Sequence, residues 1–193
     1  MIHRKPAIVG LALAALVLSS AAAAPTATAP GWAVDMSKST LGFEGVAQDA
    51  AFVGKFDKWD AKILFDPDNL GASEATVTID TASARTGDPN KDDPLKEDSW
   101  FATATFPTAT FKTDKITAAG PGNYVADGTL TIRGVSQPES LPFTLAIDGD
   151  IAKMTGSLTL DRTAFMLGDG AWQDHSVEHS VTVKVDLTAK RAG

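Results

Sequence analysis

The chain lacks cysteine altogether, and it has one tyrosine and three histidines among 193 residues. Without cysteine no disulfide can stabilise the fold, so the fold must rest on its apolar core and its backbone hydrogen bonds. A bacterial lipoprotein anchor also needs a cysteine directly after the signal. We therefore expect a protein that is not membrane-anchored.

Long apolar runs are scarce, and only the N-terminus carries one. A short basic stretch, 3–5, precedes an apolar run over 7–18 that is too short to span a membrane comfortably. This pattern predicts a signal peptide over 1–23, which is removed, and a flexible leader over 24–31. The remaining single domain, 32–190, is then expected in the periplasm or secreted.

Positive charge is also in deficit. The chain has 17 lysines and arginines against 24 aspartates and glutamates, so its formal net charge is −7. This balance argues against nucleic acid and against an anionic membrane surface as the main partner. The length suits one domain with a sizeable core.

Helical periodicity is rare, and alternation of apolar and polar residues dominates. In 180–190, Val181, Val183 and Val185 alternate with polar residues, which indicates a half-buried strand. Turn sequences separate the strand candidates and suit an antiparallel meander. The other predicted strands are 39–47, 51–65, 75–80, 108–117, 124–133, 139–148 and 151–160.

One segment breaks the strand pattern. Asp93 as N-cap and Pro94 as the first helical residue predict a short helix over roughly 93–102. The strands themselves fit two architectures. A closed eight-stranded barrel can hold one small ligand, whereas a sandwich fills its interior with side chains, and strand periodicity alone leaves both open.

Catalytic motifs are missing, and we expect no enzyme activity, no catalytic residue, no cofactor and no metal site. The string over 175–179 reads H-x-x-E-H, which is the inverted zinc-protease motif. That motif needs a helix, but the string runs into a strand pattern that would separate His175 from His179 by about 13 Å. A zinc hydrolase using His175, Glu178 and His179 is therefore a remote alternative.

Aromatic side chains are concentrated in one short stretch. Residues 99–111 hold four of the chain's fourteen aromatics, separated only by small residues and one proline. A long apolar pocket would explain both these aromatics and the missing catalytic residues. For Arg133 and Arg162 we prefer surface ion pairs over the alternative of holding an anionic head group at a barrel mouth.

Seven segments, in order across nearly the whole domain, make the chain resemble the YceI-like family of periplasmic, polyisoprenoid-binding proteins. No single segment is decisive, but their order and spacing are specific. The segments are WAVDMSKSTLGFE (32–44), VGKFDKWDAKILFDPDNL (53–70), VTIDTASARTGD (77–88), the WF…FP…TF run (100–111), GTLTIRGVSQP (128–138), LDRTAFMLGDGAW (160–172) and VTVKVDLTA (181–189).

The resemblance implies an all-β fold, an extended, antiparallel, eight-stranded, lipocalin-like β-barrel with one short helix. It implies a tunnel that binds an isoprenoid or other long-chain lipid non-covalently, for periplasmic carriage, storage or sensing. The residues that we expect to line the cavity are Phe43, Phe56, Phe65, Trp100, Phe101, Phe106, Phe111, Phe165 and Trp172.

A second hypothesis is a stress-response or respiratory accessory protein that acts through a protein partner. That hypothesis predicts a filled interior and an exposed apolar patch. The sequence leaves open whether the barrel forms a homodimer.

Overall fold

A computed structural model of the chain describes residues 28–170 and 176–192. The predicted signal peptide and the first half of the predicted leader, 24–27, lie outside these residues. The described chain is mostly strand: β1 (Gly31–Val34), β2 (Thr40–Ala47), β3 (Ala50–Phe56), β4 (Trp59–Leu64), β5 (Glu74–Asp80), β6 (Ala84–Arg85), β7 (Thr108–Ala118), β8 (Asn123–Ile132), β9 (Val135–Asp148), β10 (Ile151–Asp161) and β11 (Ser180–Arg191).

The strands close into an eight-stranded antiparallel barrel. Its order is β1–β4–β5–β7–β8–β9–β10–β11, and β1 closes the ring by pairing with β11, as in the pair Trp32↔Arg191. Strand β2 pairs with the other half of β11 and then with β3, and β3 pairs with the short β6. The predicted all-β barrel is confirmed.

The strand alternation seen in the sequence is the alternation of the barrel wall. Strand β11 pairs with β10 without interruption, from Ile151↔Lys190 to Asp161↔Ser180. The predicted strand over 51–65 is divided into β3 and β4, and the one over 139–148 begins earlier, at Val135. The other predicted bounds agree within two residues.

The predicted short helix exists, but the α-helix lies earlier than predicted, and the predicted start at Asp93 and Pro94 begins a 3-10 turn, Pro94–Lys96. Helix α1 spans Pro89–Asp92. Asp88 rather than Asp93 is its N-cap, because the Asp88 carboxylate accepts a hydrogen bond from the Asn90 N–H and a proline fills the first helical position. The aromatic residues at 100–101 lie in the turns that follow.

Glycines opposite phenylalanines make room for rings inside the barrel. Gly54 is the register partner of Phe43, and a Cβ on Gly54 would lie 2.3 Å from the Phe43 ring. Gly156 is likewise the partner of Phe143, and its Cβ would lie 3.1 Å from the Phe143 Cβ. A side chain at either glycine would overpack the wall.

The ladder between β9 and β10 is incomplete. It runs from Asp148↔Ile151 to Phe143↔Gly156 and stops, although both strands continue. In this antiparallel register, alternate residues of β9 direct their backbone groups to β10, and Pro142 and Pro138 are two of them. Since proline has no N–H, the ladder cannot continue through these positions.

The separation that results is called here the β9–β10 gap. It lies between Val135–Pro142 of β9 and Ser157–Asp161 of β10. A 3-10 turn, Arg162–Phe165, follows the end of β10 beside the gap. The Gln137 side-chain amide ties this turn to β9 by donating to the Ala164 carbonyl at 3.2 Å.

Candidate ligand cavity

The barrel encloses a cavity of about 590 Å³. Inward-facing residues of β10 line it from Ala152 to Leu160, and residues of β11 line it from Val181 to Ala189. At about 3.4 Å per residue, each of these stretches runs roughly 27 Å along its strand. The cavity is therefore long and narrow, and the interior is not filled as the partner-protein hypothesis predicts.

One end of the cavity is closed by aromatic side chains. The Trp32 Nε1–H donates to the Phe65 carbonyl at 3.0 Å, which holds the buried indole in place. The Phe65 ring meets the Tyr124 ring edge-on at 5.3 Å, and Tyr124 stacks on Phe143 at 5.4 Å. Such pairs add to the stabilisation from burial alone.

Polar lining residues gather at the opposite end. Thr113 and Arg162 are buried in the wall, but the others come from the β2–β3 turn, from the segment around α1, and from the approach to β11. The Lys91 ammonium lies 2.6 Å from the Asp88 carboxylate there. This set is called here the polar mouth: Gln48, Thr86, Asp88, Asn90, Lys91 and Ser176.

Six of the nine aromatic residues predicted from the sequence border the cavity. Several are in mutual contact: the Phe43 and Phe56 rings lie 5.2 Å apart, and Phe56 meets Phe101 at 6.0 Å. Contact of these residues with a ligand stays a prediction. The six are Phe43, Phe56, Phe65, Trp100, Phe101 and Phe111.

Of the other three, Phe106 and Phe165 do not line the cavity. Phe106 packs against Gly134 in the β8–β9 turn, where a Cβ on the glycine would lie 2.9 Å from the ring. Phe165 is completely buried within the wall. Trp172 lies outside the described residues.

The sequence reasoning missed lining residues that are spread evenly over the strands. Four aromatics beyond the prediction border the cavity, together with many aliphatic residues on every long strand. The alternation of each strand carried the signal, since alternate residues face the same side. The four aromatics are Trp32, Phe52, Trp59 and Phe143.

Arg162 contradicts the prediction of a surface ion pair. Its side chain is 1% exposed, and burial lowers the pKa of its guanidinium. Its N–H groups donate to the carbonyls of Leu167 at 2.5 Å, Val177 at 2.7 Å and Glu178 at 3.0 Å. Arg162 therefore holds the segments before and after 171–175 against the barrel.

Gly168 permits this arrangement of the arginine. Its φ is +78°, which L-residues with side chains rarely adopt, and a Cβ would lie 2.2 Å from the Arg162 Nη1. The guanidinium carbon also lies 5.3 Å from the centroid of the Trp100 ring. The Trp100 ring of the cavity wall and the buried guanidinium of Arg162 are thus packed together.

The described residues give no support to the zinc-hydrolase alternative. Val177 forms an isolated bridge with Ala47, and Glu178 donates its N–H to the Val46 carbonyl, so 177–179 are not helical. His175 lies outside the described residues. Within 28–170 and 176–192, no three His, Cys, Asp or Glu side chains form a group that could hold a metal ion.

No helix of the described chain has the length and apolar character that crossing a membrane requires.

Comparisons with known proteins agree on one family. A family model described as the YceI-like domain matches residues 32–189. A UPF0312 protein of Ectopseudomonas mendocina (strain ymp) is 32% identical over 136 residues, which are 66% of this chain and 68% of that protein.

Solved structures share the architecture. Burkholderia cenocepacia BcnA has 35% sequence identity and a TM-score of 0.78, with 81% of this chain and 99% of that chain covered. A polyisoprenoid binding domain from Saccharophagus degradans, implicated in plant cell wall breakdown, has a TM-score of 0.66 over 84% of this chain and 99% of its own. At 20% identity that second likeness shows the fold alone. Because the family match spans the whole barrel, the chain belongs to the YceI-like family.

Proposed function

We propose that this protein binds the tail of a long-chain isoprenoid, or of a similar amphiphilic lipid, non-covalently inside the barrel. The observation that carries the proposal is the long apolar cavity with polar residues gathered at one end. An apolar tail gains about 0.8 kcal/mol for each methylene group that it buries. A tail of many carbons therefore binds tightly without polar anchors along its length.

The tail lies along the aromatic wall and points toward the closed end. Its proposed contacts near the polar mouth include Phe43, Phe56 and Phe101, and those deeper in the barrel include Phe65 and Phe111. These rings offer large apolar area with little conformational freedom to lose.

The protein acts in the periplasm, where it carries, stores or senses the lipid. The N-terminal sequence supports this location, because a basic start and a short apolar run are typical of an export signal. No catalysis is part of the proposal.

The test is organic extraction and native mass spectrometry of the purified full chain, produced in cells supplied with isoprenoid. The expected result is a lipid with a long apolar tail, in a ratio near one per chain. The variant Ala126→Phe places a ring in the cavity from β8, and it should lower the bound fraction strongly.

The matched control is Ala118→Phe, which adds the same ring at an exposed position of β7. It should leave the bound fraction unchanged. If Ala126→Phe does not fold, Ala152→Met fills the cavity from β10 with a smaller change. Recovery of a folded, lipid-free wild-type protein that also fails to take up added isoprenoids would overturn the proposal.

A further inference from the structure

An acidic side chain stands on the inner face of β9, where the apolar pattern of that strand is broken. Val135 and Leu141 of this face pack against the apolar core, and Glu139 lies between them with the same parity. Its register partner on β8 is Gly128, which offers the carboxylate no side chain.

Among the described residues, none compensates the charge of Glu139. The side chain is half-buried, yet no residue of 28–170 or 176–192 forms a hydrogen bond or an ion pair with its carboxylate. Burial raises the pKa of Glu139 above its usual range, and no favourable contact opposes this rise. A half-buried carboxylate without a partner lowers the stability of the fold. A role in binding would explain its presence.

The position of Glu139 suggests that reason. The residue lies in the part of β9 that borders the β9–β10 gap, where β10 is not paired with it. Both sides of the gap also contribute to the cavity: Leu141 on β9, and Leu158 and Leu160 on β10. Glu139 itself does not line the cavity, so a group beside its carboxylate would lie at the edge of the cavity, next to these leucines.

We propose that the β9–β10 gap is a head-group site of the cavity, in which Glu139 accepts a hydrogen bond from an uncharged or cationic donor group of the ligand. This rests on the proposed function, since the tail of the same ligand occupies the cavity. The chemical class is an amphiphile with a hydroxyl or ammonium head. Ammonium is favoured over hydroxyl because the bond is then charge-assisted, and phosphate is disfavoured by like-charge repulsion.

The polar mouth is the competing position for the head group. Lys91 lies there, and a cation would favour a phosphate head over an ammonium head. The two positions therefore predict opposite orders of affinity for ligands that share one tail.

The experiment compares three ligands with the same C20 tail: geranylgeranylamine, geranylgeraniol and geranylgeranyl phosphate. Binding to the full chain is followed by quenching of tryptophan fluorescence, since Trp32, Trp59 and Trp100 line the cavity. The wild type should bind the amine at least about tenfold more tightly than the phosphate. Glu139→Gln should reduce this ratio by about tenfold.

A matched control removes a nearby charge on the outer face. Asp127 belongs to β8, and its carboxylate accepts from the Ser140 hydroxyl at 2.5 Å. Asp127→Asn changes the net charge as Glu139→Gln does, but it should leave the selectivity within about twofold of wild type.

Three outcomes separate the possibilities. Loss of selectivity in Glu139→Gln alone supports the head-group site. Unchanged selectivity in Glu139→Gln, with a change in Lys91→Met, places the head group at the polar mouth and overturns the inference while leaving the proposed function intact. Failure of all three ligands to bind the wild type contradicts the proposed function itself.

Discussion

The two sides of the β9–β10 gap each carry a charged residue, and the fold treats the two charges differently. On the β10 side, Arg162 is almost completely buried, and backbone carbonyls accept from its guanidinium. On the β9 side, Glu139 is half-buried and has no compensating contact in the described chain.

This difference separates a structural charge from a candidate binding group. A buried cation whose donors are satisfied contributes to the stability of the segment that it holds. A carboxylate whose desolvation nothing offsets weakens the fold. Beside the gap, Arg162 on the β10 side thus has a structural role, whereas Glu139 on the β9 side is a candidate binding group.

The largest effect on stability is expected from removing the guanidinium of Arg162. Arg162→Met removes the donors and leaves the carbonyls of Leu167 and Val177 buried without their partner. Each buried carbonyl left without its donor costs about 1–3 kcal/mol, so the free energy of unfolding in urea should fall by roughly 2–6 kcal/mol.

Arg191→Met is the control, because Arg191 is more exposed and its ion pair with Asp150 is long, at 3.7 Å. It should cost no more than about 1 kcal/mol. Equal losses in the two variants would show that the buried arginine has no special structural role.

Hydrogen exchange should sharpen the contrast between the gap and the closed ladder. The Thr159 N–H points toward β9, where the ladder has ended, whereas the N–H groups of Leu158 and Leu160 donate to β11. We expect the Thr159 amide to exchange about a hundredfold faster than its two neighbours, measured by NMR at neutral pH.

The Thr155 amide is the reference for that measurement, because Thr155 and Thr159 direct their N–H groups to the same side of β10. In the closed part, Thr155 lies opposite Thr144 and is protected on the β9 side. Comparable protection of the Thr159 and Thr155 amides would mean that the gap is closed in solution.

The smallest effect on stability is expected from removing the charge of Glu139. Glu139→Gln should raise the free energy of unfolding at neutral pH by less than about 1 kcal/mol, because it removes a half-buried charge that no residue of the described chain compensates. A clear loss of stability would instead indicate that the carboxylate has a structural partner.

The pH dependence of this difference has a definite sign. Since burial raises the pKa of Glu139, the folded state holds the proton more tightly than the unfolded chain does. The destabilising contribution is absent below the unfolded pKa, near 4.5, and grows as the pH rises through the folded value. The free energies of unfolding of the wild type and of Glu139→Gln should therefore differ more at pH 7 than at pH 3.5.

Asp35 titrates in the opposite sense, and it does not disturb that comparison. A hydrogen bond from the Lys38 ammonium lowers the pKa of Asp35 to about 2. Its contribution is present above the unfolded value, 3.8, and is lost as the pH falls toward 2. The wild type and Glu139→Gln both contain Asp35, so the difference between their free energies of unfolding reports on Glu139.

Much of the fold could be predicted from alternation along the chain. The strand over 180–190 was predicted almost to its observed bounds, because each apolar residue there faces the interior and each polar residue faces solvent. The helix bounds were wrong because Asp88 and Asp93 both precede a proline, and the sequence pattern does not distinguish which aspartate caps the helix.

The candidate site was predictable only in part. Phe43 and Phe56 sit on strands, where alternation assigns a face, and they line the cavity. Phe106 and Phe165 sit in turns, where no periodicity assigns a face, and they pack into the wall. Pro138 and Pro142, four residues apart on one strand, carried a signal for an interrupted ladder.

By itself the sequence determined an all-β chain without disulfides, rich in aromatic residues and matching one family along its length. These properties follow from residue types and from period-two spacing, which are local. Only the tertiary structure decided that the barrel is hollow, that Arg162 is buried and that Glu139 faces a gap. Those facts depend on ring closure and on register between distant strands, and local periodicity contains neither.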